Sequence, residues 1–320
     1  MTSAALVSII MPVHNGAQYL REAIASALAQ DYASLELIVV DDGSTDETPA
    51  ILASFGSRIT AIRQPNGGAA VARNAAIAIA RGEYLAFLDA DDLWLPSKLR
   101  TQVEYLAGHP HLDLVCSNWT VQTDNPVADI GHSVESADST AFAPQESEWI
   151  YNELLMDCIV HTTTVVMRRR LVERIGNFDV ALRRGQDYDY WLRASRATPI
   201  HRLPQALSVY RLHGTNSTWR PQPVNYAATI LQRALDQWGR KGPDGRVTPL
   251  PIMRRRLSEL WFSFGYQHAS NGSRSVAVGA ALRSLIAWPL YAKPWRLLAR
   301  CALTAVRARP SAEQLRTGAS

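Results

Sequence analysis

Four short apolar runs, residues 7–12, 35–40, 59–63 and 84–88, alternate with stretches whose apolar residues recur at three- and four-residue steps, and this alternation restricts the fold more than any other feature. Runs of that length are too short for buried helices and read as strands. Between the first two, Leu20, Ala23, Ile24, Ala27 and Leu28 fall on one helical face and leave Arg21, Glu22 and Gln30 to water. Ser44 and Glu47 have capping-box spacing, so a second helix is expected just after Asp41-Asp42-Gly43, running towards Phe55. Gly67-Gly68 opens an Ala-rich third helix over about residues 69–80, which Gly82 ends. Strands separated by helices need crossover connections, which makes the sheet parallel with right-handed crossovers and the fold class α/β.

Further along, residues 113–117 form another expected strand, and the polar stretch 120–148, rich in Ser, Asp and Pro, reads as a long loop over a site. A strand over 160–167, a short helix to Ile175, a turn at Gly176 and a helix around 187–194 come next, and the chain beyond Tyr226 reads as helices. The expected organisation is a catalytic-type domain over 1–220, itself divided into parts 1–117 and 118–220, and a basic helical region over 221–320.

With 320 residues and 47% hydrophobic content, the chain has ample material for a buried core. Cys116, Cys158 and Cys301 are odd in number and far apart, which argues against a disulfide framework and fits a reducing cytosol. The apolar start lacks a preceding basic residue and a small-residue cleavage site, so it reads as a strand and not a signal peptide. The longest apolar candidate for a membrane span, residues 276–292, is broken by Arg283 and Pro289, short of the roughly 18 uninterrupted apolar residues required. After Pro251, eleven Lys and Arg residues face only Glu259 and Glu313. Together with Trp261, Phe262, Phe264, Trp288 and Trp295, that composition suits either an anionic membrane surface or ordinary packing with the arginines facing water. No recognised nucleic-acid motif accompanies the basic residues.

In parallel sheets ligands collect at the carboxyl ends of the strands. Here those ends carry His14-Asn15, Asp41-Asp42 and Asp89-Ala90-Asp91-Asp92. Three carboxylates within four residues repel one another unless a cation shares them, and hard oxygen ligands favour Mg2+ or Mn2+. The competing interpretation is a solvated turn that caps the helix begun by Pro96. Asp41 and Asp42 either accept hydrogen bonds from a ribose or a base imide, or serve as helix caps.

Taken in order, Ser8-Ile9-Ile10-Met11-Pro12-Val13-His14-Asn15, Val40-Asp41-Asp42-Gly43-Ser44-Thr45-Asp46, Ala72-Arg73-Asn74 and Phe87-Leu88-Asp89-Ala90-Asp91-Asp92 resemble the family 2 glycosyltransferases of the bacterial cell-surface polysaccharide type. The resemblance spans about residues 7–217 and implies a GT-A fold, a Rossmann-like nucleotide-diphospho-sugar transferase, here with a helical C-terminal region. It also implies an inverting, metal-dependent hexosyltransferase. Carried over, it assigns Pro12, Val13, His14, Asn15, Asp41, Asp42, Arg73, Asp89, Ala90, Asp91 and Arg211 to the nucleotide-sugar donor. Asp89, Asp91, Asp92 and His213 match metal positions, for Mn2+ or Mg2+. Asp187 in Gln186-Asp187-Tyr188-Asp189-Tyr190-Trp191 matches the catalytic base, with Gln186 standing where many relatives carry Glu.

The reaction this resemblance implies is transfer of a sugar from a UDP donor, with dTDP and GDP as alternatives, to a hydroxyl of a glycan or lipid-linked acceptor. The setting is the cytoplasm, at the inner face of the membrane if the basic helices bind it. Polysaccharide biosynthesis is the process the resemblance implies. From a different class, a nucleotide-sugar-binding module without turnover has the same sheet and acidic edge. A nucleotidyltransferase is disfavoured by the lack of a Gly-rich, Lys-containing phosphate loop near the first strand. A processive synthase is disfavoured by the lack of membrane spans and of a Gln-x-x-Arg-Trp sequence.

Overall fold

The structure is a computed structural model and describes residues 4–123, 148–214 and 221–307. The chain divides into two compact units, Met1–Asn216 with Lys241–Arg246, and Ser217–Arg240 with Val247–Ser320.

The first unit begins β1 (Val7–Val13), α1 (Leu20–Leu28), β2 (Leu35–Asp41), α2 (Thr48–Phe55), β3 (Thr60–Arg63), α3 (Ala69–Ile79) and β4 (Tyr84–Phe87). It continues with β5 (Leu93–Trp94), α4 (Lys98–Gly108), β6 (Leu114–Thr123), α5 (Tyr151–Met156), β7 (Val166–Arg168), α6 (Arg169–Ile175), α7 (Gln186–Ala197) and β8 (Ile200–Leu212). One sheet takes all eight strands in the order β3-β2-β1-β4-β7-β6-β8-β5. The β3-β2-β1-β4 part is parallel, as the strand-helix alternation demands. Strand β7 runs antiparallel to β4 and β6, whereas β6 and β8 are parallel. The carboxyl ends of β1, β2, β4, β6 and β8 therefore share one edge with the amino end of β7. Ile9, Ile10, Met11, Ile38, Val39, Ala86 and Phe87 are fully or almost fully buried, so the strands that carry the acidic residues are anchored by apolar side chains on both faces.

Several expectations are corrected. The Ser44–Glu47 capping box does not form: α2 starts at Thr48, whose N–H is accepted by Asp46 Oδ1 at 3.0 Å, and Ser44 Oγ instead accepts from Asn15 N–H at 2.9 Å. The expected strand over 160–167 is split into a 3-10 turn, Thr162–Thr164, and the three-residue β7. Strand β6 extends to Thr123, into the stretch expected to be a loop, and residues 124–147 of that stretch lie outside the described residues.

In the second unit α8 (Tyr226–Trp238), α9 (Leu250–Asn271), α10 (Arg274–Ala287) and α11 (Ala292–Arg307) are helical, as the periodicity predicts. Gly265 on α9 lets α10 approach closely, since a Cβ there would stand 3.0 Å from the Ala280 methyl. Ala277, Ala281, Leu297 and Cys301 form a small apolar core. Among the described residues no helix is long and apolar enough to cross a membrane.

Candidate active site

The β1 end is held by the β2 end. His14 Nδ1 lies 2.9 Å from the Asp42 carbonyl, which fixes that nitrogen as the protonated donor. Asn15 adopts φ 51°, a conformation Asn tolerates better than most residues, and its Oδ1 accepts from Thr45 N–H at 2.8 Å. Pro12 is half-buried, Val13 buried, and His14 and Asn15 exposed at the rim. Asp41 is buried and accepts from Ser44 N–H at 2.8 Å, with Arg63 Nε 3.5 Å from its other oxygen. Asp42 accepts from Gln64 Nε2 and Gly67 N–H at 2.8 Å and from Gly68 N–H at 2.7 Å. It thereby shapes the turn into α3. Gly68, at φ 92°, is the residue before that helix, a conformation that favours glycine.

Helix α3 presents Arg73 to the β4 end. Arg73 is buried, and its Nη2 donates to Asp89 Oδ1 at 2.5 Å. Its Nε and Nη1 are buried and find no hydrogen-bond acceptor among the described residues, although the guanidinium lies 5.6 Å from the Phe178 ring centroid. Unsatisfied buried donors are costly, so these two point to an acceptor that the protein itself does not supply. Asn74, one residue on, exchanges two hydrogen bonds with the Phe178 backbone, at 2.9 and 3.0 Å, and fixes the approach of the chain before α7.

The three carboxylates after β4 differ in surroundings. Asp92 is buried and accepts from Thr163 Oγ1 at 2.6 Å and from Arg211 N–H at 3.1 Å. Asp89 and Asp91 stay open, with side chains 31% and 39% exposed. Burial, then the charges of Asp91 and Asp89, push the Asp92 carboxyl well above the ordinary range; Asp91 is raised by desolvation and by Asp89. Burial, helped by the three aspartates, pushes the Tyr210 hydroxyl up to about 12. The end of β8 supplies a cation to this edge: Arg211 is buried, bonds through Nε to the Asp91 carbonyl and pairs with Glu22. His213 Nε2 lies 3.3 Å from Asp91 Oδ2, its ring stacked on Tyr19 at 4.4 Å.

Asp187 lies in the first turn of α7, after Gly185 at φ 70°, and is partly exposed. Its Oδ2 is 3.5 Å from Thr162 Oγ1, while the next residue, Thr163, bonds Asp92 and receives the Asp89 N–H at 3.3 Å. Adjacent Cα atoms are ~3.8 Å apart, so this one turn brings Asp187 and the Asp89–Asp92 cluster to the same place. His161, which no sequence pattern singled out, is half-buried beside them, and its buried Nδ1 has no hydrogen-bond partner among the described residues. Burial lowers its pKa, against the opposite pull of Asp89, Asp187 and Asp91. The one signal in the sequence was a His-Thr-Thr-Thr run directly before an apolar stretch.

Residues 8–176, more than half of the chain, match the family model described as Glycosyl transferase family 2. An uncharacterised glycosyltransferase of Rickettsia prowazekii is 34% identical over 235 residues, 73% of this chain and 70% of the relative. The Escherichia coli UDP-Glc:alpha-D-GlcNAc-diphosphoundecaprenol beta-1,3-glucosyltransferase WfgD is 35% identical over 189 residues, 58% of this chain and 68% of WfgD. Among solved structures, a mannosyltransferase from Pyrobaculum calidifontis in complex with GDP-Man and Mn2+ superposes with a TM-score of 0.59 at 22% identity, covering 95% of this chain and 81% of that one. The sheet is that of a GT-A fold with a helical C-terminal region. On the ordered motifs, the family match and the relatives together, the chain belongs to glycosyl transferase family 2.

Proposed function

We propose that this glycosyltransferase is inverting and moves a sugar from a nucleotide diphosphate, UDP first and dTDP or GDP as alternatives, to a hydroxyl of a lipid-linked or glycan acceptor in cell-surface polysaccharide biosynthesis. The observation that carries the proposal is the Thr162-Thr163 pair, which sets a candidate base next to a candidate diphosphate site. The lipid-linked acceptor and UDP rest on the name of the E. coli relative, and GDP on the bound ligand of the Pyrobaculum neighbour.

Asp187 takes the proton from the acceptor hydroxyl as its oxygen attacks the anomeric carbon and the bond to the donor phosphate breaks, which inverts that carbon. Pro12, Val13, His14, Asn15 and Asp41 line the nucleoside side, and Asp42 builds the turn that shapes it. The two unsatisfied donors of Arg73 suit phosphate oxygens. Asp89 and Asp91 fit a hard divalent cation, because they are open, mutually repelling carboxylates with His213 alongside, whereas Asp92 holds the turn. When bound, Mn2+ or Mg2+ would neutralise charge on the departing diphosphate. Arg211 reinforces that end from β8. A screen of nucleotide sugars, with product diphosphate read by mass spectrometry, tests the assignment: release that needs Mn2+ or Mg2+ is expected, and none with any donor would leave only a binding module.

The second unit supports an acceptor at the inner face of a membrane. Ile286, Leu290 and Leu303 are 83%, 82% and 67% exposed, and Arg283, Lys293 and Arg300 lie within cation-π distance of Trp261, Phe262 and Tyr266. Apolar side chains flanked by basic ones suit an anionic lipid surface. Replacement of Ile286 and Leu290 by Asp should abolish co-sedimentation with anionic vesicles; unchanged sedimentation would remove the membrane from the scheme.

A further inference from the structure

At the opposite edge of the sheet, where β6 and β8 begin, histidines gather around one carboxylate. His111 Nε2 lies 3.5 Å from Glu148 Oε2, and His201 Nε2 lies 3.2 Å from Glu148 Oε1. One ligand atom from each of the three falls within 4.8 Å of the others. The residues come from separate segments: His111 from the turn before β6, His201 from the start of β8, and Glu148 from a stretch fixed by the Ile200 N–H to Glu148 carbonyl bond of 3.0 Å. We propose that His111, His201 and Glu148 form a second cation site, for a borderline transition ion of the Zn2+ class, distinct in position and chemistry from the carboxylate-rich edge.

The distances favour a shared ion over a simple ion pair. In a tetrahedral site with bonds of ~2.0–2.2 Å, neighbouring ligand atoms stand about 3.3–3.6 Å apart; the His201–Glu148 distance of 3.2 Å is nearer that edge than a charge-assisted hydrogen bond of ~2.7–2.9 Å, and the His111 contact of 3.5 Å is to the other oxygen of the same carboxylate. His201 Nε2 is buried and meets no well-formed hydrogen-bond partner among the described residues, although the Glu148 carboxylate faces it at 3.2 Å. The other nitrogen, Nδ1, is 2.8 Å from the Tyr105 hydroxyl. With Nδ1–H donating to that oxygen, Nε2 presents a bare lone pair, the arrangement in which an outer partner orients a metal-bound imidazole. His109 repeats the pattern: its Nδ1 lies 2.7 Å from the Tyr105 carbonyl, which can only accept, so Nδ1 carries a hydrogen and the lone pair of the neutral ring falls on Nε2. The rings of His109, His111 and His201 form a triangle with sides of 6.1, 6.1 and 6.3 Å, which leaves His109 next in line for a fourth position. Two or three nitrogens with one carboxylate select Zn2+-like ions over Mn2+ and Mg2+.

The test is a titration of the full chain with Co2+, monitored by its visible d–d absorption, and then displacement by Zn2+. The expected result is an intense tetrahedral spectrum that His111→Ala and His201→Ala each abolish and Asp91→Asn preserves. Tyr105→Phe should weaken Co2+ binding about 10–100-fold, as loss of an outer partner does. His111 is half-exposed, so its variant keeps the test open should His201→Ala fail to fold. A spectrum unchanged in His111→Ala, the lack of any tetrahedral spectrum, or its loss in Asp91→Asn would overturn the site.

Discussion

The 13-residue strand β8 has His201 near its start and His213 just past its end, and the two keep opposite company. His213 leans on Tyr19 and faces Asp91, beside carboxylates of which Asp91 and Asp92 have pKa values raised by burial and then by mutual repulsion. His201 sits among other imidazoles around a single glutamate. The same side-chain type thus serves a hard, negatively charged edge at one end and a softer, nitrogen-rich one at the other. The comparison teaches that position along a strand does not set the chemistry of a histidine; the groups that neighbouring segments bring to it do. Damage at the carboxyl edge should therefore stop the reaction and leave the fold intact, whereas damage elsewhere along these strands should register first in stability.

The largest effect is expected from Asp187→Asn, which keeps the shape of the side chain and removes its ability to accept a proton. Turnover should fall about 10²–10⁴-fold, the usual contribution of a positioned base, while donor binding and melting temperature stay near those of the parent. A turnover number within a few-fold of the parent would move the base elsewhere, and His161 would be the first residue to try.

The amino-terminal, parallel part of the fold was legible because periodicity and strand-end aspartates are local signals. Helix α1 and strands β1, β2 and β4 stand essentially where the pattern puts them. What failed was decided by partners distant in sequence. Ser44 has the spacing of a cap, but its N–H goes to Asp41 and its hydroxyl to Asn15, so the helix waits for Asp46. The run 160–167 is apolar and β-branched, yet the threonine hydroxyls and carbonyls in it serve Asp92, Asp187 and Trp94, and the chain turns to reach them. Strand β8 escaped notice because Pro204 reads as a strand breaker. In the structure it falls in the register shift between the Ser117–Leu203 and Asn118–Ala206 pairs, where Asn118 Nδ2 donates to the Pro204 carbonyl at 3.0 Å. Glu22 looked like a solvated helix residue, and nothing local to it announced Arg211.

Between the two edges lies Lys98, fully buried, with Nζ donating to Gln102 Oε1 at 2.7 Å and lying 4.2 Å from the Trp94 ring centroid. Gln102 in turn donates to the Thr164 carbonyl at 2.8 Å, so the amine supports the threonine turn from below. Burial holds the Lys98 pKa well below its ordinary value, so between that lowered value and about 10.4 the unfolded chain binds a proton that the folded chain does not. Stability from this group therefore rises with pH through that window. Lys98→Met should remove this component of the slope in chemical-denaturation curves measured from neutral to alkaline pH. The net change at pH 7 should stay within about 1–3 kcal/mol, because a relieved buried amine is offset by a Gln102 oxygen left without its donor. A slope identical to the parent's would show that the amine stays charged in the fold.

The smallest effect should come from Asp189, two residues beyond the candidate base on the same helix. Its carboxylate pairs with Arg193 at 2.9 Å in an i,i+4 arrangement, and Arg193 also donates to the Ile175 and Asn177 carbonyls at 2.6 and 2.9 Å. The arginine therefore keeps two acceptors when the aspartate is neutralised, and both members of the pair retain some contact with water. Asp189→Asn should cost about 0.5 kcal/mol in denaturant midpoint, the usual worth of such a pair, and leave turnover within about 2-fold of the parent. Because Tyr188 between them is buried and donates its hydroxyl to the Leu154 carbonyl at 2.6 Å, α7 keeps its orientation in either variant. Two aspartates on one turn should then give opposite results: Asp187 acts through the proton it accepts, and Asp189 only through the helix it steadies. Equal losses of turnover in the two variants would mean that the charge of the turn matters, and not the proton accepted at Asp187.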